Sequence, residues 1–166
     1  MTPTGRVGPL QVDASTRGDV MSFAGNPESE RRGRYVTYSP FDALGYGCNG
    51  RPAANRDGEP GCKTVFYLDG KTDELALLYT ADARYVDAHG VHVGMPTAQA
   101  ERRLHKLVRV GCGAILRFET KTGFLVEWFD GGRTSKTSLH LTGGRVGFIV
   151  VHSQRLNPGV LDCVDS

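Results

Sequence analysis

The chain has no run of apolar residues approaching the roughly 18 that a membrane-spanning helix needs, so no transmembrane segment is expected. It has no Cys-x-x-Cys pair, the spacing that zinc ribbons and thioredoxin-like redox sites use. Its glycine-rich stretches, Gly45–Gly50 among them, lack the Gly-Lys-Ser/Thr ending that holds phosphates, and no dinucleotide fingerprint is visible. No serine sits in Gly-x-Ser-x-Gly or Ser-x-x-Lys. Asp and Glu are scattered without a defensible catalytic pair. Together these absences point to a protein that is not an enzyme and needs no cofactor or metal. The net charge is +2, too small a bias to predict a nucleic-acid partner. Only five lysines stand against fifteen arginines, which fits a GC-rich bacterial source.

What is present is a globular composition: 39% hydrophobic and 23% charged residues over 166 positions. That length suits one domain, or two small modules side by side, with a real core. Glycine is abundant, at 22 residues, as in a chain with many turns. Four cysteines, Cys48, Cys62, Cys112 and Cys163, allow three disulfide pairings. The favoured one is Cys48–Cys62 with Cys112–Cys163. The first closes the loop Asn49–Gly61, rich in Gly, Pro and Asn, and the second pins the C-terminal tail. Two disulfides imply an oxidising compartment and a secreted or extracytoplasmic protein; four buried thiols in the cytosol are the alternative. Met1–Arg6 is polar, with no apolar core of a signal peptide, so a secreted chain of this sequence is expected to be a mature form.

Sliding the chain on itself by about 50 residues brings Cys62 onto Cys112, Val65 onto Ile115, Lys71-Thr72 onto Lys121-Thr122, Leu75 onto Leu125 and Tyr79 onto Phe129. Each copy reads as a hairpin: strands Lys63–Asp69 and Glu74–Thr80 in the first, Ala114–Thr120 and Phe124–Asp130 in the second. A second match joins Leu10-Gln11-Val12 and Ser15-Thr16 to Val91-His92-Val93 and Pro96-Thr97, each a short strand, a cap and a helix. The helices are Thr16–Ala24, ended by Gly25, and Thr97–Leu107, with one apolar face at Ala100, Leu104, Leu107 and Val108. A further strand, Arg145–Ser153, follows the second hairpin. The expected fold is α+β: two unequal repeats of strand, helix, β-hairpin and strand around a largely antiparallel sheet. Residues 1–86 form the first repeat, with an insertion near 30–61, and residues 87–166 the second.

The segment Gly90-Val91-His92-Val93-Gly94-Met95-Pro96-Thr97-Ala98-Gln99-Ala100-Glu101 resembles the strand–Gly-Met–helix opening of two groups. One is the SmpA-type outer-membrane assembly lipoproteins; the other is the secreted β-lactamase inhibitor protein family, tandem repeats of a helical unit plus a sheet with two disulfides. The resemblance implies a repeat fold and a place outside the cytoplasm. In the first repeat Asp13-Ala14 stands where Gly-Met is expected. No inhibitory residue carries over.

Candidate chemistry is sparse. His89 and His92 are the nearest approach to a metal-ligand pair, without a third ligand at a diagnostic spacing. His105 lies near Cys112, but a disulfide there removes the thiol a nucleophile needs. Arg31, Arg32 and Arg34, and Arg102, Arg103, His105 and Lys106, form two basic clusters suited to solvent or to an anionic partner. Tyr35, Tyr38, Phe41 and Tyr46 gather in the insertion, and Trp128 is the only tryptophan. Aromatics on grafted loops supply contact area at low entropic cost. The expected function is therefore a secreted, non-enzymatic binding module, inhibitor-like in one version. It would recognise a protein or cell-envelope ligand through the open sheet face and the 35–61 insertion. The alternatives are an extracytoplasmic hydrolase built on residues such as His152, His140 and Asp82, and an envelope assembly or structural factor.

Overall fold

The structure, a computed structural model, describes residues 1, 5–36, 39–52, 60–103, 108–110, 115–119, 124–130 and 145–153. A short antiparallel pair, β1 (Arg6–Val7) and β2 (Leu10–Gln11), leads into α1 (Arg17–Ala24). Four strands follow: β3 (Ser29–Val36), β4 (Ser39–Pro52), β5 (Pro60–Asp69) and β6 (Leu75–Thr80). Then α2 (Thr97–Arg103) precedes β7 (Val108–Val110), β8 (Ile115–Glu119), β9 (Phe124–Asp130) and β10 (Val146–Ser153). β3 to β10 form one antiparallel sheet in the order β3-β4-β5-β6-β10-β9-β8-β7. Each helix is thus followed by a four-stranded meander, and the meanders meet where β6 lies against β10. The fold is α+β and mostly antiparallel sheet.

Local chemistry sets the helix ends. The Thr16 hydroxyl accepts the Asp19 N–H while the Asp19 carboxylate accepts the Thr16 N–H at 2.8 Å, a reciprocal capping box. These bonds, the backbone one first, hold the Asp19 carboxyl below the usual carboxylate range. At the far end Gly25, with φ +86°, donates its N–H to Met21 O at 2.9 Å.

The chain before each helix also pairs with the start of the last strand in its meander. Asp13 takes φ +65° and donates its N–H to Leu75 O at 2.8 Å, while Leu75 N–H reaches Ser15 O at 2.7 Å and Thr16 stands opposite Glu74. Before α2, Gly94 takes φ +86° and donates to Val146 O at 2.8 Å, Val146 N–H reaches Met95 O at 2.9 Å, and Pro96 stands opposite Arg145.

Alternation along the strands splits the core in two. Leu44, Phe66, Leu78 and Val151 form one row across β4, β5, β6 and β10, each fully buried. Val20 of α1, Ala100 of α2, and Leu10, Val91 and Met95 pack over this face. The neighbouring row, Ala43, Tyr67, Leu77 and His152, belongs to the opposite face and is buried as well. Phe41 and Val65 join it.

Two sequence expectations change. The stretch near 30–61, expected as an insertion between the first helix and its hairpin, supplies among the described residues β3, β4 and the first residues of β5, all strands of the sheet. The two hairpins aligned by the 50-residue slide also occupy different places. β5–β6 are the third and fourth strands of their meander, whereas β8–β9 are the second and third. Any two hairpins share a period-two pattern, so sequence alone matches them out of phase. Within the described residues, helix Thr16–Ala24 and strands Glu74–Thr80, Phe124–Asp130 and Arg145–Ser153 lie within a residue of their expected limits. Leu104–Leu107 lie outside the described residues.

Candidate binding surface

β4 is 14 residues long and β5 is 10, while β6 has only 6. β6 pairs with β5 from Leu68 to Thr64, and Ala81 N–H adds a bond to Lys63 O at 2.6 Å. β3 pairs with β4 only from Ser39 to Gly45. From Cys48 onward, among the described residues, β4 and β5 therefore pair with each other alone. They run past the rest of the sheet as a two-stranded ribbon. An isolated two-stranded ribbon is marginal in water. Here Cys48 and Cys62 stand directly opposite each other at its base and are joined by a disulfide.

The base is reinforced on both sides. Glu28 accepts the N–H groups of Gly47 at 2.9 Å and Cys48 at 2.8 Å with its two carboxylate oxygens. Gly47 has φ +63°, a conformation glycine adopts without strain. Gly45 is required by close approach: a Cβ there would lie 2.6 Å from Cys62 Sγ and 3.2 Å from Cys48 Sγ. The disulfide thus lies on a glycine floor.

Tyr46 ties the ribbon to α1. Its hydroxyl donates to Gly25 O at 3.0 Å, and its ring meets Phe66 edge to face at a centroid distance of 5.6 Å. Burial first, then Tyr85 and Glu30, push the Tyr46 phenol above its ordinary value; Tyr85 is pushed up as well, first by its own burial. The folded state therefore prefers the neutral phenol, which alone can donate to Gly25. The linked stability is fully present below the unfolded pKa of about 10 and is lost as pH rises from there through the folded value. Tyr46→Phe is expected to flatten the fall in unfolding free energy measured by denaturant titration between about pH 9 and about pH 12. An unchanged alkaline slope would remove Tyr46 from this account.

Arg17, at the start of α1, fixes the helix to the sheet. Its guanidinium donates to Glu30 of β3 at 2.6 Å, Asp42 of β4 at 2.5 Å and Asp73 of the β5–β6 turn at 3.1 Å. Asp42 also accepts the Gly33 N–H at 2.9 Å. Burial alone would lower the Arg17 pKa, but the three carboxylates outweigh it and raise it. Arg17→Met would leave Asp42 and Asp73 without this cation and Glu30 with only the exposed Arg32. It is expected to cost about 1–2 kcal/mol, between the values for exposed and buried pairs, in chemical denaturation at low salt. A cost that does not shrink as salt is raised would argue against an ionic origin.

Among solved structures the chain is similar to that of the uncharacterized protein yfeY from Escherichia coli, with a TM-score of 0.54 and 12% sequence identity over 92% of this chain and 98% of that one. That likeness shows fold alone. Compared with protein-family models and with curated proteins, the chain matches none.

The candidate binding residues fall into three groups. Phe41 is buried on the second sheet face, and Tyr46 is half-buried against the first core. Tyr35 belongs to β3 and Trp128 to β9, opposite Ile149 and Leu116; at both positions the backbone alone is described. Tyr38 lies outside the described residues. The sheet face expected to be open is buried at Phe41, Val65, Tyr67 and Leu77 in the middle of β4–β6, while Lys63 on it is exposed and Tyr79 partly so. Of the disulfides, Cys48–Cys62 is present; Cys112 and Cys163 lie outside the described residues.

Of the residues named for the hydrolase alternative, His152 and Asp82 are described. The Ser153 hydroxyl donates to Asp13 at 2.7 Å, and the buried His152 holds Nδ1 at 2.9 Å from the Ser153 carbonyl. Asp82 is paired with Arg84 at 2.6 Å, and chiefly through that contact its carboxyl sits below the usual range. His140 lies outside the described residues. His89 faces Asp87 at 3.1 Å and His92 the Val93 carbonyl at 3.0 Å, so the two rings have different partners. Among the described residues no group of three or more His, Cys, Asp or Glu is placed to hold a metal ion.

Proposed function

We propose that the chain is a non-enzymatic binding module working outside the cytoplasm, recognising a protein or cell-envelope ligand through the 35–61 region. The observation that carries this reading is the β4–β5 ribbon, stapled at its base by Cys48–Cys62 and extended beyond its neighbouring strands. A disulfide and the lack of a membrane-spanning helix among the described residues are both compatible with such a location. Tyr35, Tyr38 and Trp128 supply contact area in this proposal. Phe41 and Tyr46 anchor the strand on its two faces.

The proposal includes the two-repeat scaffold and its likeness to β-lactamase inhibitor proteins and SmpA-type lipoproteins. Matched helix entries support it: Asp13 and Gly94 both take positive φ, and both donate to the strand that ends their meander. Arg6 opposite Gln11 and Val86 opposite His92 repeat the same bridge upstream. On this reading the first repeat is the larger because β3, β4 and β5 are longer than β7, β8 and β9, with no strand added.

The test is a photo-crosslinking residue placed at exposed Asn49 on the ribbon, against one at exposed Lys71 in the turn at the other end of β5. In the cell envelope of the source organism, a discrete adduct at position 49 and none at position 71 is expected. No adduct at 49, or the same adducts at both positions, would overturn the reading.

A further inference from the structure

The ribbon carries a reactive dipeptide that the proposed function does not use. Asn49-Gly50 is the one Asn-Gly pair in the chain; Asn26 and Asn157 each precede a proline, and Asn55 precedes Arg56. The side-chain amide of an asparagine is open to attack by the backbone nitrogen of the next residue, which closes a succinimide ring. Glycine has no Cβ to shield that nitrogen and gives the backbone the freedom that ring closure needs. Proline has no N–H and takes no part.

A regular strand blocks this reaction by holding its N–H groups in a ladder. At Asn49-Gly50 the ladder is interrupted. Its register runs from Cys48 opposite Cys62 to Pro52 opposite Pro60, so Asn49, Gly50 and Arg51 on β4 share Gly61 alone on β5. A bulge of this kind leaves residues outside regular pairing and bends the strand. On its other side β4 has no strand beside it here among the described residues, because β3 pairs only as far as Gly45. Asn49 is exposed. A hydrogen bond at an exposed amide exchanges with water at little net cost, so the amide need not be unbonded to react.

The fold supplies its own contrast in Asp69-Gly70, where β5 ends. The Gly70 N–H donates to Pro40 O at 2.9 Å, and Asp69 Oδ1 accepts the N–H groups of Lys71 at 2.8 Å and Thr72 at 3.2 Å. A Cβ on Gly70 would lie 2.8 Å from Pro40 O, so the backbone there is closely packed. Nitrogen and side chain are both held apart from the ring geometry.

We propose that Asn49-Gly50 is a self-modification site, at which the exposed ribbon loses an amide without an enzyme. The Gly50 nitrogen bonds to the side-chain carbonyl carbon of Asn49, and its proton leaves with the amide nitrogen as ammonia. Water then opens the succinimide. Opening at the side-chain carbonyl gives aspartate; opening at the main-chain carbonyl gives isoaspartate, whose backbone runs through the former side chain. Nothing is oxidised or reduced. The product sets a new carboxylate, and in isoaspartate a longer backbone, immediately after Cys48, where the disulfide fixes the base of the ribbon. The proposal goes beyond the binding reading and stands apart from it: a photo-crosslinking residue in place of Asn49 removes this chemistry and leaves the binding test intact.

The test keeps the full, oxidised chain in mildly alkaline buffer and follows it by peptide mapping and by labelling with an isoaspartyl methyltransferase. The same chain in denaturant and the variants Asp69→Asn, Gly50→Ala and Asn49→Gln are followed beside it. Isoaspartate at position 49 is expected in the folded protein at a rate within about tenfold of the unfolded one. In folded Asp69→Asn, position 69 is expected to react about tenfold or more slowly than position 49, and the difference is expected to vanish in denaturant. Gly50→Ala is expected to slow the reaction about tenfold or more. Asn49→Gln, a conservative change at an exposed position, is expected to abolish the product.

Protection of position 49 on folding by more than about tenfold would mean that the bulge holds the nitrogen after all, and would overturn the proposal. So would equal rates at positions 49 and 69 in folded Asp69→Asn, or aspartate at position 49 without isoaspartate, the mark of direct hydrolysis.

Discussion

Replacing Cys48 and Cys62 together by serine is expected to lower the stability of the fold by about 3 kcal/mol, the loop-closure value for a cross-link of about 15 residues. The cysteines are 14 residues apart, so the estimate applies directly. For a chain of this size the melting temperature should fall by about 6–12 °C. Reducing agent added to the wild type should lower the melting temperature by at least as much.

The structure adds a sharper form of the test through Gly45. A methyl group at that position collides with the Cys62 sulfur and crowds Cys48. Gly45→Ala in the oxidised protein is therefore expected to cost about 1–3 kcal/mol, as overpacking does. In the double-serine background the two side chains turn independently, and most of that cost should vanish. Additive losses in this double-mutant cycle would mean that the glycine is required for some reason other than the disulfide above it. For the proposed function the same variant matters: the serine chain should lose its Asn49 adduct if the staple holds the ribbon in its binding form.

Phe66→Ala is the second large expected effect, at about 3–5 kcal/mol by denaturant midpoint. Phe66 is fully buried between Leu44 and Leu78, in the row over which both helices pack. It also provides the face or edge against which Tyr46 rests. Its removal opens a cavity under β4 and takes away part of what buries the Tyr46 phenol. That phenol should then titrate closer to its ordinary value, read as the absorbance change of tyrosinate formation. Phe66→Leu keeps most of the volume and is expected to cost less than half as much. A loss below about 1 kcal/mol for Phe66→Ala would show that this row is not the core.

Much of this architecture was legible in residue order because the signals are local. Thr16 followed by Asp19 is a cap wherever it is exposed, and α1 begins there. β6 and β10, Leu-Ala-Leu-Leu-Tyr-Thr and Val-Gly-Phe-Ile-Val-Val-His-Ser, are central strands and carry the β-branched and apolar residues such strands need. Cys48 and Cys62 flank a Gly- and Pro-rich stretch that has no core of its own, and their pairing followed from that.

β3 and β4 were not legible as strands. Ser-Glu-Arg-Arg-Gly-Arg lies at the sheet's edge, where burial asks little of it, and β4 is interrupted by Pro40, Gly45 and Gly47. β4 is a strand because β5 offers it a ladder, and β3 because β4 then does the same, which depends on pairing rather than on local sequence. The candidate site divided in the same way. Tyr46 was visible as an aromatic in a region of interest, but its partners Gly25 and Phe66 come from α1 and β5. Arg17 carried no motif, since three carboxylates from three separate elements define its role.

The sequence by itself determined the fold class, the caps of the first helix, the central strands and one disulfide, because each depends on residues close in the chain or on a pattern of fixed period. Only the tertiary structure decided which strands are neighbours, that both sheet faces are buried in the middle of β4–β6, and that β3 ends the sheet among the described residues. The physical reason is that alternation records which side of a strand is apolar, whereas the partner across a hydrogen-bonded ladder is chosen by the whole chain at once.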